Sequence, residues 1–285
     1  MSEFAFQQAL VRLLTDSALQ KSFLAGDRQS LVQSGFSVEQ LDRLEGIDAE
    51  RLTLFAEMVV GQRVKDSTEA LPMTARILGE HFAHLVVRFF NTTKLDYGTR
   101  REAPLAFAGF LKQQFKLNPP AEPFLQDVLE YETISIELLT EAENESFMGI
   151  ERSTPSFTSG ENLLAELPFR LPCHRIVCFA FDVPAIIKQL KAKQVPLTPE
   201  PQTTHLILHV GSSGTIQQST VNRHTISFIE ACDGATPLRG VVDKLFDDLQ
   251  EDASHFQQFR DRCTSLCMAL VERRIIGFKD TPHTS

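Results

Sequence analysis

Residues 214–249 read GTIQQSTVNRHTISFIEACDGATPLRGVVDKLFDDL, and residues 254–278 read SHFQQFRDRCTSLCMALVERRIIGF. Together they carry the clearest periodicity in this chain. Between Thr215 and Val221 the side chains alternate with the two-residue period of a β-strand that is buried on one face only. The alternation stops at Asn222. This part of the chain is therefore predicted to open with a short, half-buried strand.

Three helices are predicted after this strand. The first has apolar residues at helical spacing and ends at Asp233-Gly234, a pair that favours a turn. Thr236 is predicted as the N-cap of the second helix, with Pro237 at its first position. The third begins at Ser254, and an apolar segment ending at Phe278 is predicted to form a closing strand. A strand, three helices and a closing strand give the outline of a winged helix.

The N-terminal half is predicted to be entirely helical. Asp16 and Asp48 stand where helix N-caps are expected, and Ser37 with Gln40 has the spacing of a capping box. Pro72 begins PMTARILGEHFAHLVVRFF, which is apolar enough to form a central helix. Short polar turns between such segments are typical of a helical bundle. Residues 1–145 are therefore predicted to form an all-α domain.

Residues 146–285 are predicted to form a second domain, in which 146–172 is a loosely structured linker rich in Ser, Thr and Pro. CHRIVCFAFD, residues 173–182, reads as a strand that is followed by one short helix. HLILHV, residues 205–210, reads as another strand, and 215–221 is the third. The predicted fold class is α+β: a helical bundle followed by a winged helix with a three-stranded antiparallel sheet and three helices.

Composition limits the possible functions. The chain has 285 residues, of which 42% are hydrophobic and 23% charged, and no apolar run approaches the length of a membrane span. Five cysteines without tight clustering argue against a disulfide framework, so a reducing cytoplasm is expected. The net charge of −9 disfavours a nucleic-acid backbone as the partner.

Several segments resemble the RiPP recognition element, the PqqD-like winged helix that captures the leader of a ribosomally made peptide. The resemblance lies in Val221-Asn222, Cys232-Asp233-Gly234, Thr236-Pro237-Leu238 and the segment from Leu270 to Phe278. The helical half and the segment HRIVCFAFDVPAIIKQL are similar to a narrower group. Its members are partner subunits of multinuclear iron oxygenases that modify peptide cysteines in the 3-thiaglutamate and methanobactin pathways. The length favours the 3-thiaglutamate type.

This resemblance implies a non-catalytic subunit without a cofactor of its own. Its expected partners are a precursor-peptide leader and a barrel-type iron oxygenase, which would hold the iron and dock on the helical domain. The leader would add as a strand beside residues 215–221 and lie in a groove against the third helix. The expected leader-binding residues are Thr215, Ile216, Gln217, Gln218, Ser219, Thr220, Val221, Phe256, Phe259, Arg260, Cys263 and Cys267.

Other chemistries are weaker in this sequence. Glu80 and His84 share a helix face, but two ligands are too few for a closed metal site, and a solvated face is the simpler interpretation. Cys263 and Cys267 fall on an apolar stripe, which favours core packing. Cys173, His174 and Cys178 lack an orienting third group, and His205 and His209, which share one face of a strand, are expected to flank the sheet.

A DNA-binding regulator is the main alternative because winged helices often enter DNA grooves. Residues 205–285 contain eight Lys or Arg against ten Asp or Glu, whereas a domain that neutralises phosphates is usually basic. An independent metalloenzyme is a third possibility. No glycine-rich phosphate loop, nucleophile elbow or H-E-x-x-H motif supports catalysis by this chain.

Overall fold

The chain divides into two compact units. The computed structural model describes residues 3–93, 102–147, 160–196, 198–211, 213–249 and 253–279. One unit is Met1–Glu132 with Leu190–Val195, and the other is Thr133–Gln189 with Pro196–Ser285. The predicted α+β class is confirmed, as helices dominate and three strands form an antiparallel sheet. Within the described ranges, no helix has the length and apolar character needed to cross a membrane.

The first unit is built from helices. Their bounds are α1 Glu3–Thr15, α2 Ser17–Leu24, α3 Arg28–Gln33, α4 Val38–Leu44, α5 Ala49–Ala70, α6 Pro72–Leu78, α7 Glu80–Thr92, α8 Glu102–Leu117 and α9 Leu125–Phe147. The predicted caps form: Asp16 and Asp48 accept main-chain N–H groups at the starts of α2 and α5. Ser37 and Gln40 make both hydrogen bonds of a capping box at α4. The division between the units falls within α9, whereas composition placed the boundary near residue 145, where the helix ends.

The helix predicted to run on from Pro72 is two helices. Gly79 separates α6 from α7, with φ of 56° and ψ of −133°, a conformation that no residue of an α-helix adopts. Sequence periodicity alone does not show this break, because the apolar residues continue on both sides of it. After the break, α7 packs on α8: the ring centroid of Phe107 lies 5.5 Å from that of Phe82 and 5.3 Å from that of Phe89.

The second unit contains five strands and the remaining helices. Their bounds are α10 Gly160–Ala165, β1 Pro168–Arg170, β2 His174–Phe181, α11 Val183–Lys191, β3 Pro201–Val210, β4 Ile216–Thr220, α12 Arg223–Ala231, α13 Leu238–Leu249, α14 Phe256–Glu272 and β5 Ile276–Phe278. A 3₁₀ turn, Ala253–His255, precedes α14. The order of the three-stranded sheet is β2-β3-β4, and β1 pairs with β5 in a separate antiparallel ladder.

Part of the predicted linker is ordered structure. Residues 148–159 lie outside the described residues, but α10 and β1 lie within the segment predicted to be loosely structured. Leu163 and Leu164 are buried in the core that α12, α13 and α14 form with Ile207. The sequence missed β1 because three residues are too few to show a period. Its partner, β5, comes more than one hundred residues later in the chain.

The start of α13 also differs from the prediction. The helix begins at Leu238 rather than after a Thr236 cap. Asp233 takes the capping role instead, since its carboxylate accepts the N–H groups of Ala235 (2.7 Å) and Thr236 (2.9 Å). These hydrogen bonds hold the pKa of Asp233 below its usual value.

Candidate functional site

Strand β4 is an edge strand of the three-stranded sheet. It pairs with β3 on one side, in a register that sets Gln218 opposite Leu208 and Gln217 opposite His209. No described residue pairs with its other side. An edge strand leaves a row of main-chain donors and acceptors open to another chain. The predicted strand is thus present, at an edge of its sheet.

The direction of each main-chain group in β4 follows from the ladder. The Gly211 N–H donates to Thr215 O (2.9 Å), and the Val221 N–H donates to His205 O (3.0 Å). In an antiparallel ladder, hydrogen-bonded pairs alternate with pairs that do not bond to each other. Residues 215, 217, 219 and 221 therefore bond to β3. The N–H and C=O groups of Ile216, Gln218 and Thr220 point to the open edge.

Local sequence fixes both ends of this strand. At its start, the Gly214 N–H donates to Gly211 O (3.0 Å) in a turn, and Gly214 has φ of 72°, in the left-handed region that favours glycine. At its end, Asn222 has extended φ and ψ, and its side chain accepts the Thr225 N–H (2.9 Å) as the N-cap of α12. The chain therefore turns from β4 into α12 without further strand residues, so the open edge is about five residues long.

The predicted groove wall on α14 needs a correction. The side chains of Cys263 and Cys267 are 7% and 0% exposed and pack in the core, so they do not line an open surface. Burial raises the pKa of Cys263 to about 11 and that of Cys267 to about 12. Their position on the apolar stripe made core packing the expected result, and the structure agrees with that interpretation.

The aromatic residues predicted for this wall lie at the start of α14. Phe256 and Phe259 are half-buried, and their ring centroids lie 5.0 and 5.4 Å from that of Phe246 on α13. Arg260 is also half-buried. These aromatic residues pack between two helices. A side-chain hydrogen bond to β4 comes from the other end of the helix, at its C-cap.

Arg273, the C-cap of α14, reaches the open strand. Its guanidinium Nη1 donates to Ser219 Oγ over 3.0 Å, a contact between residues 54 positions apart. The helix ends in a Schellman motif, in which Arg274 N–H donates to Val271 O and Ile275 N–H to Leu270 O, both at 2.9 Å. Arg273 is not among the residues that the sequence predicted to bind the leader. The sequence signal that could have indicated this contact is the pair of arginines, Arg273 and Arg274, between the third helix and the predicted closing strand.

A second group of polar residues lies on the β2–β3 ladder. His174 is directly opposite His209, and Cys178 is opposite His205. The Nδ1 atoms of His174 and His209 are buried without a hydrogen-bond partner among the residues that the structure describes. Burial lowers the pKa of both imidazoles, and the charge of Arg273 lowers that of His209 further. Both histidines are therefore expected to be neutral near pH 7.

The other candidate ligands do not come together. Glu80, His81 and His84 are exposed at the start of α7, as a solvated helix face requires. The described part of the chain contains no group of three or more His, Cys, Asp or Glu side chains arranged to hold a metal ion. None of the five cysteines forms a disulfide bond, and Cys178 is the exposed one.

No protein-family model matches the chain, and no curated protein matches it.

Proposed function

We propose that this chain is a non-catalytic partner subunit that binds the leader of a ribosomally made precursor peptide by strand addition. Its second unit would act as a PqqD-like winged helix. It would present a cysteine of the peptide to an associated multinuclear iron oxygenase, which would hold the iron. The observation that carries this proposal is the open edge of β4, with the main-chain groups of Ile216, Gln218 and Thr220 directed outward.

The physical basis is main-chain pairing. A segment added antiparallel to β4 would exchange hydrogen bonds with the outward groups of Ile216, Gln218 and Thr220, and each such bond contributes about 0.5–1.5 kcal/mol. The main-chain part of the affinity would thus depend little on the sequence of the segment. Tethering by a leader raises the effective concentration of the modified cysteine at the oxygenase, with no added contact to that cysteine.

The helical unit would dock the oxygenase. Most described phenylalanines of the chain are at least partly buried, so few serve as surface anchors; Phe4 and Phe55 are the exposed ones. On α5, Leu54, Phe55 and Met58 are 56%, 54% and 60% exposed and lie within little more than one helical turn. We propose this apolar stretch of α5 as the partner-docking surface.

The proposal is tested by comparing peptide binding to the full-length wild-type chain with binding to a variant in which the open edge of β4 is blocked. A displayed library of random 12-residue peptides is selected on the wild-type chain, and the affinities of enriched peptides are measured by fluorescence anisotropy. Gln218→Pro removes an outward N–H of β4 and should weaken binding at least about tenfold, since several edge bonds are lost together. Cys178→Pro, at the opposite edge of the same sheet, is the matched control and should bind as the wild type does.

Equal binding by wild type and Gln218→Pro would refute the strand-addition proposal. Duplex DNA binding by the wild-type chain that weakens steeply with salt would support the DNA-binding alternative instead.

A further inference from the structure

We propose that the segment bound at β4 carries an acidic residue opposite Ser219, and that Arg273 pairs with its carboxylate. This inference rests on the proposed strand addition at β4 and specifies the chemistry of the segment that binds there. It comes from three features of the described residues: the position of Arg273, the charge of the surrounding strands and the register of the open edge.

Arg273 is held at the edge without a charged partner. The Schellman motif fixes the end of α14, and the bond to Ser219 Oγ directs the guanidinium to β4. No carboxylate of the described residues pairs with Arg273. Arg273 is exposed, and its charge also lowers the pKa of His209, opposite Gln217 on the neighbouring strand. The guanidinium therefore lies over the β3–β4 ladder with most of its donors available to a ligand.

The strands around it contain no acidic side chain. Residues 201–229 include β3, β4 and most of α12 and have no Asp or Glu, although the whole chain has 37 of them. Strand β2, HRIVCFAF, has none either. A cationic edge in a chain of net charge −9 is a local exception. Charge complementarity thus favours a negatively charged segment at this edge over a basic one.

The register indicates which position of the segment would carry the charge. The outward hydrogen bonds come from Ile216, Gln218 and Thr220, so Ser219 would face its partner as a non-hydrogen-bonded pair. In an antiparallel ladder, the Cβ atoms of directly opposite residues lie about 4.5–5.5 Å apart, and both side chains point to the same face. A carboxylate opposite Ser219 would therefore lie beside the Arg273 guanidinium. An arginine can bind a carboxylate with two parallel N–H···O bonds.

The experiment repeats the peptide selection on charge variants of the full-length chain. Peptides selected on the wild type should share one position enriched in Asp or Glu. Arg273→Glu should remove that enrichment and favour Lys or Arg at the same position. Arg262→Glu changes another exposed arginine of α14 and should leave the preference unchanged. Changing the acidic residue of a selected peptide to its amide should weaken binding to the wild type about five- to tenfold, and to Arg273→Gln by less than about twofold.

The outcomes separate this inference from the proposed function. Peptides that lose binding to Gln218→Pro, but show no acidic preference and are unaffected by Arg273→Glu, would overturn the inference and leave strand addition standing. If no selected peptide loses affinity for Gln218→Pro, the strand-addition proposal and the inference about Arg273 are both wrong. Circular dichroism and thermal melting of Arg273→Glu and Arg273→Gln ensure that a loss of preference is read from folded protein. If Arg273→Glu misfolds, the inference is decided by Arg273→Gln, on which the acidic peptide and its amide variant should bind with nearly equal affinity.

Discussion

Gln217 and Gln218 are consecutive residues of β4 whose main-chain groups point to opposite sides. The groups of Gln217 pair with His209 on β3, and those of Gln218 point away from the sheet. Both side chains are exposed, so the two positions differ mainly in what the backbone does. This difference allows the ladder and the open edge to be tested separately with the same substitution.

Proline at these two positions should have unequal effects on stability. Gln217→Pro removes a donor of the β3–β4 ladder and leaves the His209 carbonyl without its partner, so it should lower the free energy of unfolding by about 2–3 kcal/mol. Gln218→Pro removes a donor that faces outward, the position where an edge strand tolerates proline, and should cost less than about 1 kcal/mol. Urea denaturation measures both. Equal losses would show that the assigned direction of the ladder is wrong.

Replacement of Arg274 by glycine should stabilise the protein. Arg274 has φ of 58°, in the left-handed region that a C′ glycine usually occupies. Relief of this conformation, about 1–2 kcal/mol, exceeds the added entropy of an unfolded glycine, about 0.5–1 kcal/mol. A net gain of about 0.5–1 kcal/mol is expected in urea denaturation. Arg273→Gly is the neighbouring control: its φ is −80°, so no such gain should appear.

Glu132 should make stability fall as the pH rises. Its carboxylate is 3% exposed and accepts the N–H groups of Met73 (2.7 Å) and Thr74 (2.9 Å) at the start of α6. Burial raises its pKa from 4.5 to about 7, and these hydrogen bonds oppose the rise only in part. Because the pKa of Glu132 is raised in the folded state, protonated Glu132 stabilises the fold. This stabilisation is complete below pH 4.5 and is lost as the pH rises through about 7. The loss amounts to about 3 kcal/mol.

The measurement for Glu132 compares unfolding free energies at pH 5 and pH 8. Glu132→Gln cannot titrate, so its stability relative to the wild type should increase by about 2–3 kcal/mol between these pH values. Glu130→Gln, on the same helix in a surface ion pair with Lys112, should keep the pH dependence of the wild type. A wild type and Glu132→Gln with parallel pH profiles would show that Glu132 does not titrate in this range.

The five thiols should differ in reactivity. Cys178 is exposed, whereas Cys173, Cys232, Cys263 and Cys267 are buried. Burial also raises the pKa of Cys232 to about 12, which keeps it protonated at neutral pH. Ellman's reagent at pH 8 should therefore modify one thiol in the folded protein and five in denaturant. Cys178→Ser should remove the rapid reaction, and rapid modification of a second thiol would contradict the burial of the other four cysteines.

Local features of the fold could be predicted from the sequence because short-range physics produces them. The alternation in Thr215–Val221 gave β4, and the Asn222 side chain ended it as a helix N-cap. The capping box at Ser37 was predicted for the same reason. The break at Gly79 was missed, since a glycine within an apolar periodic segment fits a continuous helix as well as a broken one.

The candidate site was predictable only in part. Its strand was assigned from the sequence, but two of the residues expected along its groove, Cys263 and Cys267, face the core. Their spacing on α14 placed them on one face of the helix and did not show whether that face was covered. Arg273 was not expected at the strand, because no local rule relates it to Ser219.

The sequence by itself determined most of the helices, the caps at Asp16, Ser37, Asp48 and Asn222, and a strand before α12. These depend on residues within one or two turns of each other, so a local pattern is sufficient. The tertiary structure decided that β4 lies at an edge of its sheet, that β1 pairs with β5, and that Arg273 reaches Ser219. Such relationships join residues far apart in the chain. They depend on how the whole unit packs, which no short segment encodes.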